Sequence, residues 1–264
     1  PRSGRTARPR DPGAGIRVAA FVALAAGLLI PVGAAAQERP PLTFTDLMQI
    51  RQIESPSISP DGRWLAYTAE PDRGDPEAVV QEVDGQARFS VAPADRPVLS
   101  SDGRWMAARM VPSLADRETA DRPGELRNRL AIVSLPGGQV ETVEDVRAFA
   151  FSPDGRFLRW HLYAPRTDDD GDDATDAPER EEGQGTTMVV RTLATGQEVR
   201  VEDVDACAFA EEGARLACTV ASSDDARDGM WVWDLGAGTE VAAHRRADGL
   251  YGAPTWNEGG SALA

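Results

Sequence analysis

Ile58-Ser59-Pro60-Asp61-Gly62-Arg63-Trp64-Leu65-Ala66-Tyr67 decides the fold, because it comes back. It returns as Leu99-Ser100-Ser101-Asp102-Gly103-Arg104-Trp105-Met106-Ala107-Ala108, and again as Phe151-Ser152-Pro153-Asp154-Gly155-Arg156-Phe157-Leu158-Arg159-Trp160. Degenerate copies follow at 209–218 around Gly213 and at 256–264 around Gly260. The unit has the chemistry of a hairpin. Pro presets φ for the first turn position, Asp bonds its own backbone, and Gly supplies the positive φ that closes the loop. Apolar residues two apart on either side, such as Leu65 and Tyr67, give the alternation of a strand.

A second hairpin lies between successive copies of the first. Its copies read Val79-Val80-Gln81-Glu82-Val83-Asp84-Gly85, Ala131-Ile132-Val133-Ser134-Leu135-Pro136-Gly137-Gly138, Val189-Val190-Arg191-Thr192-Leu193-Ala194-Thr195-Gly196 and Trp231-Val232-Trp233-Asp234-Leu235-Gly236-Ala237-Gly238. Two hairpins per period make four strands, one propeller blade. The repeat glycines stand 41, 52, 58 and 47 residues apart, which fits blades of about 40–50 residues with loop insertions. The expected fold class is therefore all-β: an incomplete β-propeller over residues 42–264, four blades plus the start of a fifth. Inserts at 112–128 and 165–185 fall between the first and second hairpins, where a loop grows without disturbing register.

Composition excludes several chemistries. All 28 basic residues are Arg, so a Walker lysine, a Schiff-base lysine and a kinase lysine are impossible. His161 and His244 are the only histidines, too few for a three-His zinc site. A net charge of -15 argues against nucleic acid or an anionic membrane surface as partner. An apolar content of 41% is enough for a sizeable core.

Residues 1–36 read as an export signal. Arg2, Arg5, Arg8, Arg10 and Arg17 precede an uncharged apolar run at 18–30, then Pro31 and Ala34-Ala35-Ala36. The run is short for a span, which needs about 20 residues; the competing reading is an uncleaved anchor, the one membrane contact this sequence suggests. Cleavage after Ala36 leaves 23 Arg against 42 acids, a net charge of -19. Residues 37–41 are a linker, and the protein is expected to be periplasmic or secreted. In such a compartment Cys207 and Cys218 can pair. If Ala210 faces Arg215, the two cysteines stand opposite each other on one face of a hairpin; two buried thiols are the equal alternative.

Together these residues resemble the propeller domain of the prolyl oligopeptidase family of serine peptidases, in its exported bacterial branch. The resemblance rests on Phe44-Thr45-Asp46-Leu47 leading into Ser55-Pro56-Ser57-Ile58-Ser59-Pro60-Asp61-Gly62-Arg63-Trp64, on the segment 185–196, and on Pro254-Thr255-Trp256-Asn257-Glu258. It implies a propeller that gates peptide access to a C-terminal α/β-hydrolase domain holding a Ser, Asp and His triad. That domain is not in this sequence, so the chain is expected to be an inactive N-terminal part of a longer peptidase, with the hydrolase domain and a peptide in the channel as its partners. The alternative is a non-enzymatic TolB-like propeller that binds envelope proteins, since TolB-like propellers share the Ser-Pro-Asp-Gly unit.

No catalytic, cofactor-binding or metal-binding residue is assigned, and no cofactor is expected. Gly259-Gly260-Ser261-Ala262-Leu263 lacks the second Gly of a nucleophile elbow. Asp168-Asp169-Asp170-Gly171-Asp172-Asp173 invites a calcium loop, with Glu179 at the distal position, but its Gly falls at loop position four instead of six; it reads as a solvated, self-repelling run. His161, at a strand end, reads as structural, and His244 beside Arg245 and Arg246 as a poor metal ligand. Trp64, Trp105, Trp160, Trp231, Trp233 and Trp256 read as packing between blades, and Arg63, Arg104 and Arg156 as partners of nearby acids or solvent.

Overall fold

The computed structural model describes residues 43–122, 126–165, 185–222, 227–245 and 251–263. The signal segment, the linker and the acidic run at 168–182 lie outside the described residues. All the described elements belong to one compact unit, Leu42–Ala264.

After a short helix α1 (Phe44–Met48), the first blade is β1 (Arg51–Ile58), β2 (Trp64–Pro71), β3 (Glu77–Glu82) and β4 (Arg88–Val91), antiparallel and adjacent in chain order. The second is β5 (Ala94–Leu99), β6 (Trp105–Met110), β7 (Arg129–Ser134) and β8 (Val140–Val143). The remaining strands are β9 (Val146–Phe151), β10 (Phe157–Leu162), β11 (Thr186–Thr192), β12 (Glu198–Phe209), β13 (Arg215–Val220), β14 (Gly229–Asp234) and β15 (Thr239–Arg245). They form one seven-stranded sheet instead of two separate four-stranded ones. The reason is β12. Its first part pairs with β11 (Met188 opposite Val201) and its second with β13 (Phe209 opposite Leu216), so one strand closes the third blade and opens the fourth. Asp203, at φ +60°, marks the changeover.

Blades pack face to face because alternate residues of each middle strand point opposite ways. Trp64, Ala66 and Val80 of the first blade meet Met106, Ala108, Ala131 and Val133 of the second. The intervening residues Ala107, Leu130 and Ile132 turn toward Leu158, Trp160 and Val189 of the third. Phe157, Met188 and Val190 then face Leu216 and Cys218 of the fourth. Strands buried on both faces thus read as near-continuous apolar runs, and each fully buried Leu, Ile, Val or Met contributes about 1.5–3 kcal/mol. The all-β propeller expected from the repeats is the observed architecture.

The insert at 112–128 is not all loop. It carries α2 (Leu114–Thr119), capped by Ser113: the Ser113 hydroxyl accepts from the Asp116 amide, and the Asp116 carboxylate accepts from the Ser113 amide. Leu114 N donates to Asp75 Oδ1 at 2.6 Å and Arg73 pairs with Glu118 at 2.8 Å, so this second-blade insert docks on the first blade.

Candidate functional site

The repeated turn builds one end of the propeller. In the first blade Ser59 Oγ donates to Asp61 Oδ1 at 2.5 Å and accepts from Trp64 N at 2.9 Å, while Arg63 N donates to the same carboxylate oxygen at 3.1 Å. The arrangement recurs at Ser100, Asp102 and Trp105 and at Ser152, Asp154 and Phe157. The three serines are buried. Sequence reading gave the conformational roles of Pro, Asp and Gly here; the serine's task, feeding the first amide of the returning strand, needed the coordinates. The fourth copy has Ala210 and Glu212 instead, and keeps only the backbone turn, Gly213 N to Ala210 O at 2.8 Å and Ala210 N to Arg215 O at 2.9 Å. In the fifth copy Asn257 Oδ1 takes over, accepting from Ser261 N and Ala262 N at 2.9 and 3.0 Å.

Successive turns also touch. A Cβ on Gly103 would come 3.1 Å from Asp61 Oδ2, one on Gly155 2.9 Å from Asp102 N, and one on Gly213 2.4 Å from the Asp154 carboxyl carbon. Each turn therefore seats its glycine on the acidic turn before it, a close approach that any side chain would block. This yields an arc of three carboxylates, Asp61, Asp102 and Asp154, held by hydroxyls and amides. Hydrogen bonds from Ser59, then the Arg63 amide, hold the Asp61 carboxyl below its ordinary pKa. Burial opposes ionisation of Asp154, but bonds from Ser152, the Arg156 amide and the Arg156 guanidinium outweigh it and lower its pKa as well.

Bordering this arc, at the same end, a cleft of about 820 Å³ runs across blades two to four, lined among others by Asp102, Arg104, Trp105, Arg156, Thr195 and Gln197. Its size would admit a short peptide. Of the arginines singled out from the repeat, Arg63 pairs with Glu82 at 3.0 Å and Arg156 with Asp154 at 2.5 Å; Arg104 lines the cleft.

The other candidates are placed as follows. Cys207 and Cys218 are directly opposed and form a disulfide, in the register expected from Ala210 facing Arg215; this resolves the pair of readings left open. His161 is 4% exposed and, among the described residues, neither ring nitrogen has a hydrogen-bond partner. Burial, then the positive charges of Arg159 and Arg147, push its pKa down to about 4. His244 Nδ1 lies 3.0 Å from the Tyr251 hydroxyl. Trp64 and Trp160 are buried between blades; Trp105 packs against the Trp160 cluster, and Trp233 against Phe157, Met188 and Leu216 between the third and fourth blades. Trp231 stacks with Trp233 at 6.0 Å, and Trp256 Nε1 donates to Ala208 O at 2.9 Å. Ser261 sits in the Asn257 turn, not on a strand-to-helix elbow. Among the described residues no group of three or more His, Cys, Asp or Glu is placed to hold a metal.

Sequence reading missed the ion pairs that cross between strands and blades. Arg191 of β11 reaches Glu141 of β8 at 2.6 Å and Glu198 of β12 at 2.5 Å, joining the second and third blades. Arg109 grips Asp95 with two nitrogens. Such pairs depend on register between strands distant in sequence, and no local pattern announces them.

No family model matches this sequence, and no curated protein matches it. Solved structures do. A structure described as the eukaryotic initiation factor matches with a TM-score of 0.51 and 12% identity, over 80% of this chain and 48% of that one. The β-propeller domain of the Trilobed protease from Pyrococcus furiosus matches with a TM-score of 0.45 and 13% identity, over 73% and 57%. TolB from Acinetobacter baumannii matches with a TM-score of 0.39 and 15% identity, over 81% and 48%. The chain thus spans about half the length of these three chains. At these identities the likeness is one of fold alone.

Proposed function

We propose that this chain is the substrate-gating propeller of an exported prolyl-oligopeptidase-like serine peptidase, in which hydrolysis is carried out by an α/β-hydrolase domain outside this sequence. The observation that carries the reading is the pair of segments with the family's pattern, 44–64 and 185–196. The first supplies α1, β1 and the opening turn; the second supplies β11 and the turn that lines the large cleft. In this reading peptides reach the catalytic domain through the propeller, and size exclusion by the ring of blades limits what is cleaved. The basic leader and apolar run at 1–36 direct export, with cleavage after Ala36.

The test uses the parent polypeptide and the 264-residue chain side by side. The parent should react with a serine-directed fluorophosphonate and hydrolyse short peptides but not folded proteins, whereas the chain alone should do neither. A parent with no reactive serine would sink the peptidase reading. It would favour the TolB-like alternative, which the shared Ser-Pro-Asp-Gly turn also fits. N-terminal sequencing of exported protein should begin at Gln37.

A further inference from the structure

The chain is strongly acidic, yet one crevice is basic. Where the second and third blades meet, Arg96 of β5, Arg109 of β6, Arg129 of β7 and Arg147 of β9 line a pocket of about 230 Å³. That volume holds about seven or eight waters' worth of liquid, enough for a carboxylate or phosphate group and a little more. Val98 and Val146 supply apolar wall.

The charges there do not cancel. Arg109 is satisfied by Asp95, and Arg129 lies 3.7 Å from Glu144, whose side chain is 72% exposed and so screened by solvent. The Arg96 and Arg147 guanidiniums make no ion pair among the described residues. Arg96 and Arg147 are exposed, so solvent screens part of the repulsion, but four like charges gathered at one crevice still disfavour one another. The surplus is felt beyond the pocket, since Arg147 helps depress the His161 pKa from the neighbouring strand.

The backbone accounts for the presence of Arg96 at the crevice. Arg96 sits at φ +49°, in the left-handed region that non-glycine residues avoid, at a bulge where β5 loses register with β6 between Asp95 and Val98. Its amide is held there by Thr68 Oγ1 of the first blade at 3.2 Å. Ser55, Asp145 and Asp203 take the same left-handed backbone near the opening strands of the other blades, so the conformation belongs to the blade; at this copy the bulge places an arginine at the crevice. Guanidinium is also the group suited to bidentate recognition of carboxylate and phosphate.

We propose that this pocket is a binding site for a compact oxyanion, the terminal carboxylate of a peptide or a phosphate group, with Arg96 and Arg147 as its two free cationic arms. The proposal concerns this chain alone and does not rest on the peptidase reading; it survives if the parent has no hydrolase domain.

The 264-residue chain is titrated calorimetrically at low salt with an N-acetylated tetrapeptide bearing a free C-terminus, with the same peptide as its C-terminal amide, and with inorganic phosphate. The free acid or phosphate should bind, the amide should not, and affinity should fall as salt rises. Whichever anion binds tells the source. The double variant Arg96→Gln/Arg147→Gln should weaken binding about tenfold or more, on the scale of charge-assisted hydrogen bonds, while Arg63→Gln should leave it unchanged. Equal binding of acid and amide overturns the proposal. So does the absence of saturable binding of either anion at millimolar concentration, or undiminished binding by a double variant that melts like the parent. Should the double variant not fold, the single Arg147→Gln change, at an exposed position, decides on the same criteria.

Discussion

Replacing Ser152 by Ala removes one hydroxyl and leaves two groups without it. Phe157 N, buried at the start of β10, loses its acceptor at 2.9 Å, and Asp154 loses a donor at 2.6 Å. The carboxylate keeps Arg156, through its amide at 3.1 Å and its guanidinium at 2.5 Å, so its loss is partial. The amide has no substitute, and an orphaned buried N–H costs about 1–3 kcal/mol. For a domain of this size that lowers the Tm by roughly 3 to 10 °C. The sign of the pH dependence follows from Asp154, whose pKa is lowered in the fold. Such a group stabilises above its unfolded value, about 3.9, and the stabilisation is lost as pH falls through the folded pKa. Ser152 is one of the groups lowering it, so the gap between parent and Ser152→Ala should narrow below about pH 4. Urea unfolding at pH 7 and again at acid pH measures both effects. The fourth blade supplies the reverse experiment: Ala210→Ser with Glu212→Asp should gain about 1 kcal/mol by rebuilding the missing bond. A Ser152→Ala variant within about 0.5 kcal/mol of the parent at pH 7 would refute the idea that the hydroxyl feeds the strand amide.

Breaking the Cys207–Cys218 bridge, which closes a separation of 11 residues, should cost about 3 kcal/mol by loop-closure entropy; unfolding with and without reductant, compared with Cys207→Ser/Cys218→Ser, measures it. His161 is neutral and buried with its pKa pushed to about 4, below the unfolded value, so stability should decline as pH falls from about 6.5 toward 4. A His161→Phe variant should lose that slope, and the same slope in both proteins would count against it. Arg191→Met should cost about 1–2 kcal/mol, less at high salt, because Arg191 is largely buried while its partner Glu141 is half exposed. An identical urea midpoint for variant and parent would remove the ion pair from the account.

The turns were the legible part of this molecule. Asp61-Gly62, Asp102-Gly103 and Asp154-Gly155 advertise a positive-φ hairpin because few other residues adopt that backbone, and the glycines sit at φ +73°, +66° and +71°. The Cys207–Cys218 register was legible for the same reason: once the turn is placed, period-2 counting does the rest. The helix α2 was not. Six residues carry too little periodicity, and the Ser113 capping box ends in Asp116 where Glu or Gln is the usual signal. The fusion of the third and fourth blades was equally hidden. Val201-Glu202-Asp203-Val204 repeats Val143-Glu144-Asp145-Val146, and both aspartates take φ near +60°, yet only the later pair of blades is joined into one sheet, so the local sequence does not tell the two junctions apart. The arginine pocket draws on β5, β6, β7 and β9, so its members are scattered over 96–147 and meet only through the sheet.

The shared strand β12 has a consequence for how the molecule comes apart. Where the second blade meets the third, no strand ladder crosses the boundary; side chains and one main-chain bond, Val146 N to Asn128 O at 2.9 Å, hold it, as in a stack of repeats whose stability is a sum of neighbour terms. Across β12 the backbone ladder itself runs on, from Arg191 opposite Glu198 to Phe209 opposite Leu216, with the disulfide riveting its far half to β13. A fluctuation that peels the fourth blade away must therefore break main-chain hydrogen bonds already committed to the third. Amides from β9 to β15 should exchange with solvent as one cooperative block, separable from β1 to β4, so that the unit of unfolding is larger than the unit of sequence repetition.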